Sequence, residues 1–157
     1  MNSTPRKAAL ALSVLVCLAL GGAAAQAQGF PASLKGKIIT SNQAVEVPAT
    51  QGPKFLKQLQ KQDRKVFNKD EGGKWVVHFC AFFNKALPGE AMGIVVLDEK
   101  KEPVASAEVS GQKGQTTLSA DIVVDSTEFP GKEHKLQIYY PKGGKPVVLA
   151  EKKILLK

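Results

Sequence analysis

Nine consecutive residues, Trp75-Val76-Val77-His78-Phe79-Cys80-Ala81-Phe82-Phe83, form the most apolar stretch found after Ala27. β-branched and aromatic side chains of this kind favour extended backbone. Successive side chains of a strand point to opposite faces, and here both faces are apolar apart from His78. A strand that is apolar on both faces belongs in the middle of a sheet that is covered on both sides. The stretch therefore predicts the central strand of a β-rich domain.

Five further segments of strand length follow, separated by Gly, Pro, Asp and Lys. The predicted strands cover residues 92–97, 104–109, 117–124, 135–140 and 147–156. The turns between them are short enough for antiparallel neighbours. The last segment carries Lys152 and Lys153 at its centre, which is typical of an edge strand protected by charge or of a bulge at that point.

The residues before this region, 28–72, are more polar and more basic. Residues 37–40 and 44–47 predict one or two short strands. Residues 53–67 predict a helix, because Pro53 suits a first helical position and a partial apolar stripe follows it. Residues 28–157 have the length of one domain, with its core in 73–157. Whether residues 28–52 pack on that core is left open by the sequence.

These patterns predict a mainly β fold: an antiparallel two-sheet β-sandwich with one short helix before the main strands. Val95-Val96-Leu97-Asp98 leads through a charged turn into Pro103, and residues 118–124 alternate. Residues 136–140 lead through a Pro/Gly hairpin into the final strand. With the aromatic strand opened by Trp75, this order resembles the immunoglobulin-like and fibronectin-type-III-like β-sandwiches of exported bacterial proteins. The resemblance covers a little over half the chain and implies a binding or scaffolding role.

The segment 1–27 has the organisation of a cleavable signal peptide. Arg6 and Lys7 precede an apolar run over positions 8–20, and Ala25-Gln26-Ala27 fits the small-residue rule for cleavage. Cleavage after Ala27 leaves a mature chain that begins at Gln28, and the loss of Arg6 and Lys7 lowers the formal net charge from +8 to +6. No later stretch is long and apolar enough to cross a bilayer. We therefore expect a secreted, periplasmic or extracellular protein of bacterial style.

Five cations concentrate in the predicted helix. They are Lys54, Lys57, Lys61, Arg64 and Lys65, accompanied by a single acid, Asp63. One interpretation is a surface that contacts anionic lipid, lipopolysaccharide or acidic polysaccharide. The other is the solvated face of a helix that caps the sandwich. Nucleic acid is not the expected partner, because the chain is exported and lacks interleaved aromatic residues.

His78 and Cys80 lie on one face of the central strand, so they form a candidate nucleophile pair or two metal ligands. A metal site needs more ligands, and the only other histidine is His134. Cys80 lies between phenylalanines, which favours an inert core cysteine. It is also the only cysteine of the mature chain, so no internal disulfide forms.

No recognised catalytic motif is present, and we expect no cofactor or metal. The sequence thus predicts an exported, non-enzymatic domain with a binding or structural role in the cell envelope or outside the cell. An alternative is an accessory subunit of an envelope assembly, captured by pairing of the edge strand 147–156 with a partner's strand. A thiol- or metal-dependent enzyme that uses Cys80 and His78 is the last alternative.

Overall fold

The computed structural model describes residues 30–47, 52–125 and 131–157. The predicted signal peptide and its cleavage after Ala27 lie outside these residues. The elements in chain order are a 3-10 turn Ala32–Leu34, β1 Ile38–Ser41, α1 Pro53–Gln62, β2 Val66–Phe67, β3 Trp75–Phe82, β4 Ala91–Leu97, β5 Pro103–Ser110, β6 Thr117–Val124, β7 Lys132–Lys142 and β8 Lys145–Leu156. In this part of the chain no helix has the length and apolarity needed to cross a membrane.

The strands form two sheets that share one core. The three-stranded sheet has the order β1-β3-β6, and the five-stranded sheet has the order β2-β8-β7-β4-β5. Every strand pairing is antiparallel except that of β2 with β8. The mainly β fold with two sheets and one α-helix is confirmed, and all six strands predicted in the second half of the chain are present.

The long β7–β8 hairpin depends on its two glycines. Lys142 pairs with Lys145, which leaves Gly143 and Gly144 as the two loop residues. Their φ angles are 56° and 75°. Two consecutive positive φ angles give a turn whose twist matches that of the flanking strands. This turn sets how β7 and β8 pair next to the loop.

The aromatic strand β3 is central in its sheet and buried on both faces, as predicted. Its inward side chains, Trp75, Val77, Phe79 and Ala81, belong to the core between the sheets. Its outward side chains Cys80 and Phe82 belong to a second cluster under the N-terminal segment and α1. Residues 30–47 therefore pack on the core, which the sequence had left open.

The helix is shorter than predicted, because it ends at Gln62 rather than near residue 67. Asp63 leaves helical geometry at ψ 121°. Its carboxylate accepts a hydrogen bond from the Thr40 N–H (3.1 Å) and forms a salt bridge with Lys152. These contacts turn the chain toward β8, where β2 pairs with the last two residues of that strand.

One short upstream strand forms, within the prediction of one or two. It is β1, which includes most of residues 37–40, whereas residues 44–47 are irregular. Both sides of β3 are already occupied by β1 and β6. The segment instead lies against β6, where the Ser119 hydroxyl donates a 2.6 Å hydrogen bond to the Val45 carbonyl.

The prediction that residues 147–156 form an edge strand is wrong. β8 lies between β2 and β7, and several backbone groups on its outer side have partners. Glu151 N–H donates to the Gly36 carbonyl (3.1 Å), and Leu155 N–H donates to the Lys65 carbonyl (2.7 Å). The register shift of β8 lies opposite Ile138 and Tyr139, away from the two central lysines. β8 is therefore not available to a partner's strand.

The two β8 lysines have other roles. Lys152 points to the inner face of the sheet, and its side chain is 10% exposed beside Asp63. Lys153 points outward and pairs with Glu133 at 2.7 Å. Both partners come from other elements of the fold, so the local pattern could not identify them.

Candidate functional site

The helix α1 separates its apolar and charged side chains cleanly. Leu56 and Leu59 are buried against the outer face of the three-stranded sheet. Lys54, Lys57 and Lys61 lie three and four residues apart, so they form one exposed stripe along the helix. The apolar side of the helix thus fixes the direction in which the lysines point.

Two further cations follow the helix. Arg64 and Lys65 are exposed and lie directly after the helix end. We call the five residues Lys54, Lys57, Lys61, Arg64 and Lys65 the cationic face. The structure keeps all five predicted residues at the surface, and it attaches them to a segment that packs on both β1 and β8.

The cationic face has no neutralising acid in the described residues. Among the salt bridges of that part of the chain, none involves any of its five side chains. α1 contains no Asp or Glu, and the acid that follows it, Asp63, forms its salt bridge with Lys152. The positive charge of the face is therefore uncompensated at short range.

The lysines of α1 are not explained by a gain in the stability of the helix. Lys54 lies in the first turn, next to the positive end of the helix dipole, and that placement costs about 0.3–1 kcal/mol. No acidic residue lies in the first turn to offset it. Lys61 alone is favourably placed, in the last turn.

Hydrogen bonds and one salt bridge hold the chain where it leaves α1, beneath the cationic face. Asp63 connects the helix end to β1 through Thr40 and to β8 through Lys152. Burial lowers the pKa of Lys152, while the hydrogen bond and charge of Asp63 oppose that shift and the nearby charge of Lys65 adds to it. Arg64 N–H also donates to the Thr40 carbonyl at 2.8 Å. The cations after the helix are thus held on a well-connected backbone.

Cys80 is inaccessible in this fold. Its side chain is fully buried beneath the N-terminal segment and α1. Desolvation raises the pKa of the Cys80 thiol to about 12. A reactive thiol needs exposure and a positive environment that favours the thiolate. Cys80 therefore serves packing, in agreement with the inert core cysteine expected from its phenylalanine neighbours.

His78 has neighbours that the sequence did not bring together. The strand register places Ser41 of β1 and Asp121 of β6 directly opposite His78. The three residues are far apart in the chain and carry no local signal, so only the sheet register reveals this row. The Ser41 hydroxyl accepts the Gln43 N–H at 3.1 Å, and no hydrogen bond joins the three side chains in the described structure. Nucleophilic catalysis by a serine hydroxyl requires a hydrogen bond from that hydroxyl to a base, and this row has none.

The described residues also contain no group of three or more His, Cys, Asp or Glu side chains that could hold a metal ion. His134 does not join His78, because it lies on β7 in the other sheet. It is buried at 2% exposure, with Nδ1 3.0 Å from the Lys132 carbonyl. The two histidines therefore do not form a shared site.

Comparisons with known proteins yield distant structural likenesses only. No protein-family model matches the chain, and no curated protein matches it. A β-glucuronidase of Parabacteroides merdae is similar over 57% of this chain and 12% of its own, with 9% identity and a TM-score of 0.41. A glycosyl hydrolase family 2 member from Bacteroides cellulosilyticus DSM 14838 is similar over 52% of this chain and 12% of its own, with 18% identity and a TM-score of 0.36. Each match covers only 12% of the length of the enzyme concerned, and neither carries an argument about the activity of this chain.

Proposed function

We propose that the chain is an exported, non-enzymatic β-sandwich domain that binds an anionic polymer of the bacterial cell envelope through its cationic face. The uncompensated charge of that face carries the proposal. The signal-peptide pattern of the segment 1–27 supports export, and the burial of Cys80 removes the strongest catalytic candidate of the sequence.

The strand order supports an immunoglobulin-like sandwich. The order β1-β3-β6 corresponds to strands A, B and E, and the order β8-β7-β4-β5 corresponds to G, F, C and C′. The chain departs from antibody domains at two residues. Cys80 points away from the inter-sheet core, and the buried Trp75 lies on the B-like strand rather than on strand C.

A repeating polymer fits the shape of the cationic face better than a small anion. The stripe of Lys54, Lys57 and Lys61 extends about 10 Å along the helix axis, given a rise of about 1.5 Å per residue. Side chains in such a row reach successive charges of one chain, whereas a small anion needs converging donors. Long-range attraction between such surfaces also raises the rate of encounter.

Three Lys→Gln substitutions at Lys54, Lys57 and Lys61 test the proposal. Glutamine retains helix propensity, so the fold is expected to persist. The matched control replaces three exposed lysines outside α1, Lys100 and Lys113 in turns and Lys145 at the beginning of β8, and removes the same charge. Binding to purified lipopolysaccharide and to polygalacturonate is measured at several salt concentrations, with neutral dextran as the negative probe.

The proposal predicts that the helix variant loses at least about tenfold in affinity for an anionic probe and much of its salt dependence. The control variant should change by less than about threefold. Equal losses in both variants would indicate a general effect of net charge and contradict a specific face.

The alternative, an accessory subunit of an envelope assembly, requires a free strand edge. β8 does not supply one, because β2 and the backbone of residues 36 and 65 cover it. The other end of the same sheet, β5, is free in the described structure. Capture of a second protein species by β5 would favour this alternative.

A further inference from the structure

β5 is the free edge of the five-stranded sheet. It is last in the order β2-β8-β7-β4-β5, so no strand pairs with its far side in the described structure. Its side chains alternate: the exposed ones are Ser106, Glu108 and Ser110, and the buried or half-buried ones are Ala105, Ala107 and Val109. Such an edge presents backbone N–H and C=O groups with which another strand can pair.

The hydrogen-bond pattern shows which backbone groups point outward. Gly111 N–H donates to the Glu90 carbonyl at 2.6 Å, and the same register continues along β5. Bonded pairs alternate with non-bonded pairs in an antiparallel ladder. The odd-numbered residues of β5 therefore bond to β4, while Ser106, Glu108 and Ser110 direct their backbone groups away from the sheet.

This edge lacks the usual protection against pairing. None of the 22 Lys and Arg residues lies in β5, and Glu108 is its only charge. Pro103 and the register shift opposite Val96 and Leu97 disturb only the beginning of the strand. By contrast, the free side of β1 is engaged through the Thr40 carbonyl, which accepts the Arg64 N–H.

We propose that β5 pairs with β5 of a second copy of this chain, antiparallel about a twofold axis through Ala107. In this register Ser106 lies opposite Glu108 of the second copy, and Ala105 lies opposite its Val109. The two Ser106–Glu108 pairs each exchange two backbone hydrogen bonds. The result is one continuous sheet that runs through both copies.

In this register the side chains of β5 complement those of a second β5, which favours a second copy as the occupant. Hydroxyl and carboxylate groups face each other, and no like charges are opposed. An axis through Glu108 would instead bring two carboxylates together, which is unfavourable. An axis through Ser106 would place Glu108 opposite the irregular beginning of the strand. The contact is small, so the dimer is weak and reversible.

Dimerisation has a consequence for binding that rests on the proposed function. A twofold axis perpendicular to the sheet keeps the outer face of each copy on the same side. Because α1 covers the three-stranded sheet, both cationic faces then point to one side of the dimer. Two faces on one surface bind a polymer with avidity that neither face has alone.

Two variants at Ser106 test the register. Ser106→Lys places a positive charge opposite Glu108 of the second copy, whereas Ser106→Glu places a negative charge there. Dimer dissociation constants are measured by sedimentation velocity over a dilution series. The register predicts dissociation about 2- to 30-fold tighter for Ser106→Lys and weaker by a similar factor for Ser106→Glu.

A nonspecific charge effect predicts the opposite order. The chain is basic, so added positive charge would weaken self-association and added negative charge would strengthen it. Unchanged constants in both variants, or this reversed order, would overturn the proposal.

Glu108→Pro supplies a second test. It removes an N–H that points outward, so the ladder with β4 is retained and the monomer stays folded, as circular dichroism should show. We expect this variant to be monomeric at every concentration. A wild-type chain that is monomeric up to millimolar concentration, or a dimer that persists in Glu108→Pro, would overturn the proposal. The Lys→Gln helix variant should dimerise normally, so failure of one proposal is distinguishable from failure of the other.

Discussion

The outer surfaces of the two sheets differ in cover and in charge. The three-stranded sheet is covered by the N-terminal segment and α1, and the cations on that cover have no acidic partners in the described residues. Within the same ranges no helix covers the five-stranded sheet, and four of its outward charges form two cross-strand pairs. Lys135 lies 3.7 Å from Glu151, and the Lys153–Glu133 pair is the second.

This difference indicates where the molecule meets other molecules. Charge that is compensated within a sheet serves solubility and cross-strand pairing. Charge that is displayed without partners on a packed helix is available for an external anion. We therefore assign polymer binding to the covered sheet and self-association to the free edge of the other one.

The largest difference between the two surfaces is expected in the free energy of unfolding, when Leu59 beneath α1 is truncated. Leu59→Ala removes a side chain that is 1% exposed beneath α1, and we expect a loss of about 2–5 kcal/mol in the free energy of unfolding. Val95→Ala, on the outer face of the five-stranded sheet, should cost less than about 1 kcal/mol. Urea denaturation of both variants measures the difference. Equal costs would mean that α1 packs loosely on its sheet.

A smaller effect is expected at Asp63. Asp63→Asn retains the shape of the side chain but leaves the Lys152 ammonium without its counter-ion, at a cost of about 1–3 kcal/mol. The matched control is Glu133→Gln, which breaks the exposed pair with Lys153 and should have no measurable effect. A cost at Asp63 no larger than that of the control would contradict the structural role of this junction.

The same variant has a pH signature. Asp63 opposes the burial that lowers the pKa of Lys152, so its removal lowers that pKa further below the ordinary 10.5. Between the two values the unfolded chain binds more protons than the folded one, and stability therefore rises with pH. We expect this rise to be steeper in Asp63→Asn than in the wild type in the pH range just below 10.5. Parallel stability curves would contradict this account.

The parts of the fold that depend on local pattern were predictable. The apolar character of both faces of β3 can be read from nine consecutive residues. The beginning of α1 can be read from Pro53. The end of α1 was not predictable, because Asp63 leaves the helix to bind groups from β1 and β8. The same remote contact explains the error at β8, where the Lys152 side chain serves a buried ion pair rather than an edge.

The residues of the cationic face were predictable from the sequence, but their lack of acidic neighbours was not. The sequence placed five cations in one predicted helix, and the structure leaves three of them in α1. Their lack of acidic partners became visible only when Asp63 was found bound to Lys152. The row of Ser41, His78 and Asp121 and the free edge of β5 both result from strand register, which the sequence does not specify.

The most direct test of the account is to find where an anionic polymer touches the protein. Lysine acetylation of the protein, with and without purified lipopolysaccharide, is followed residue by residue by mass spectrometry. The account predicts protection at Lys54, Lys57 and Lys61, and no protection at Lys100 or Lys113. Uniform protection, or protection confined to lysines outside α1, would contradict it.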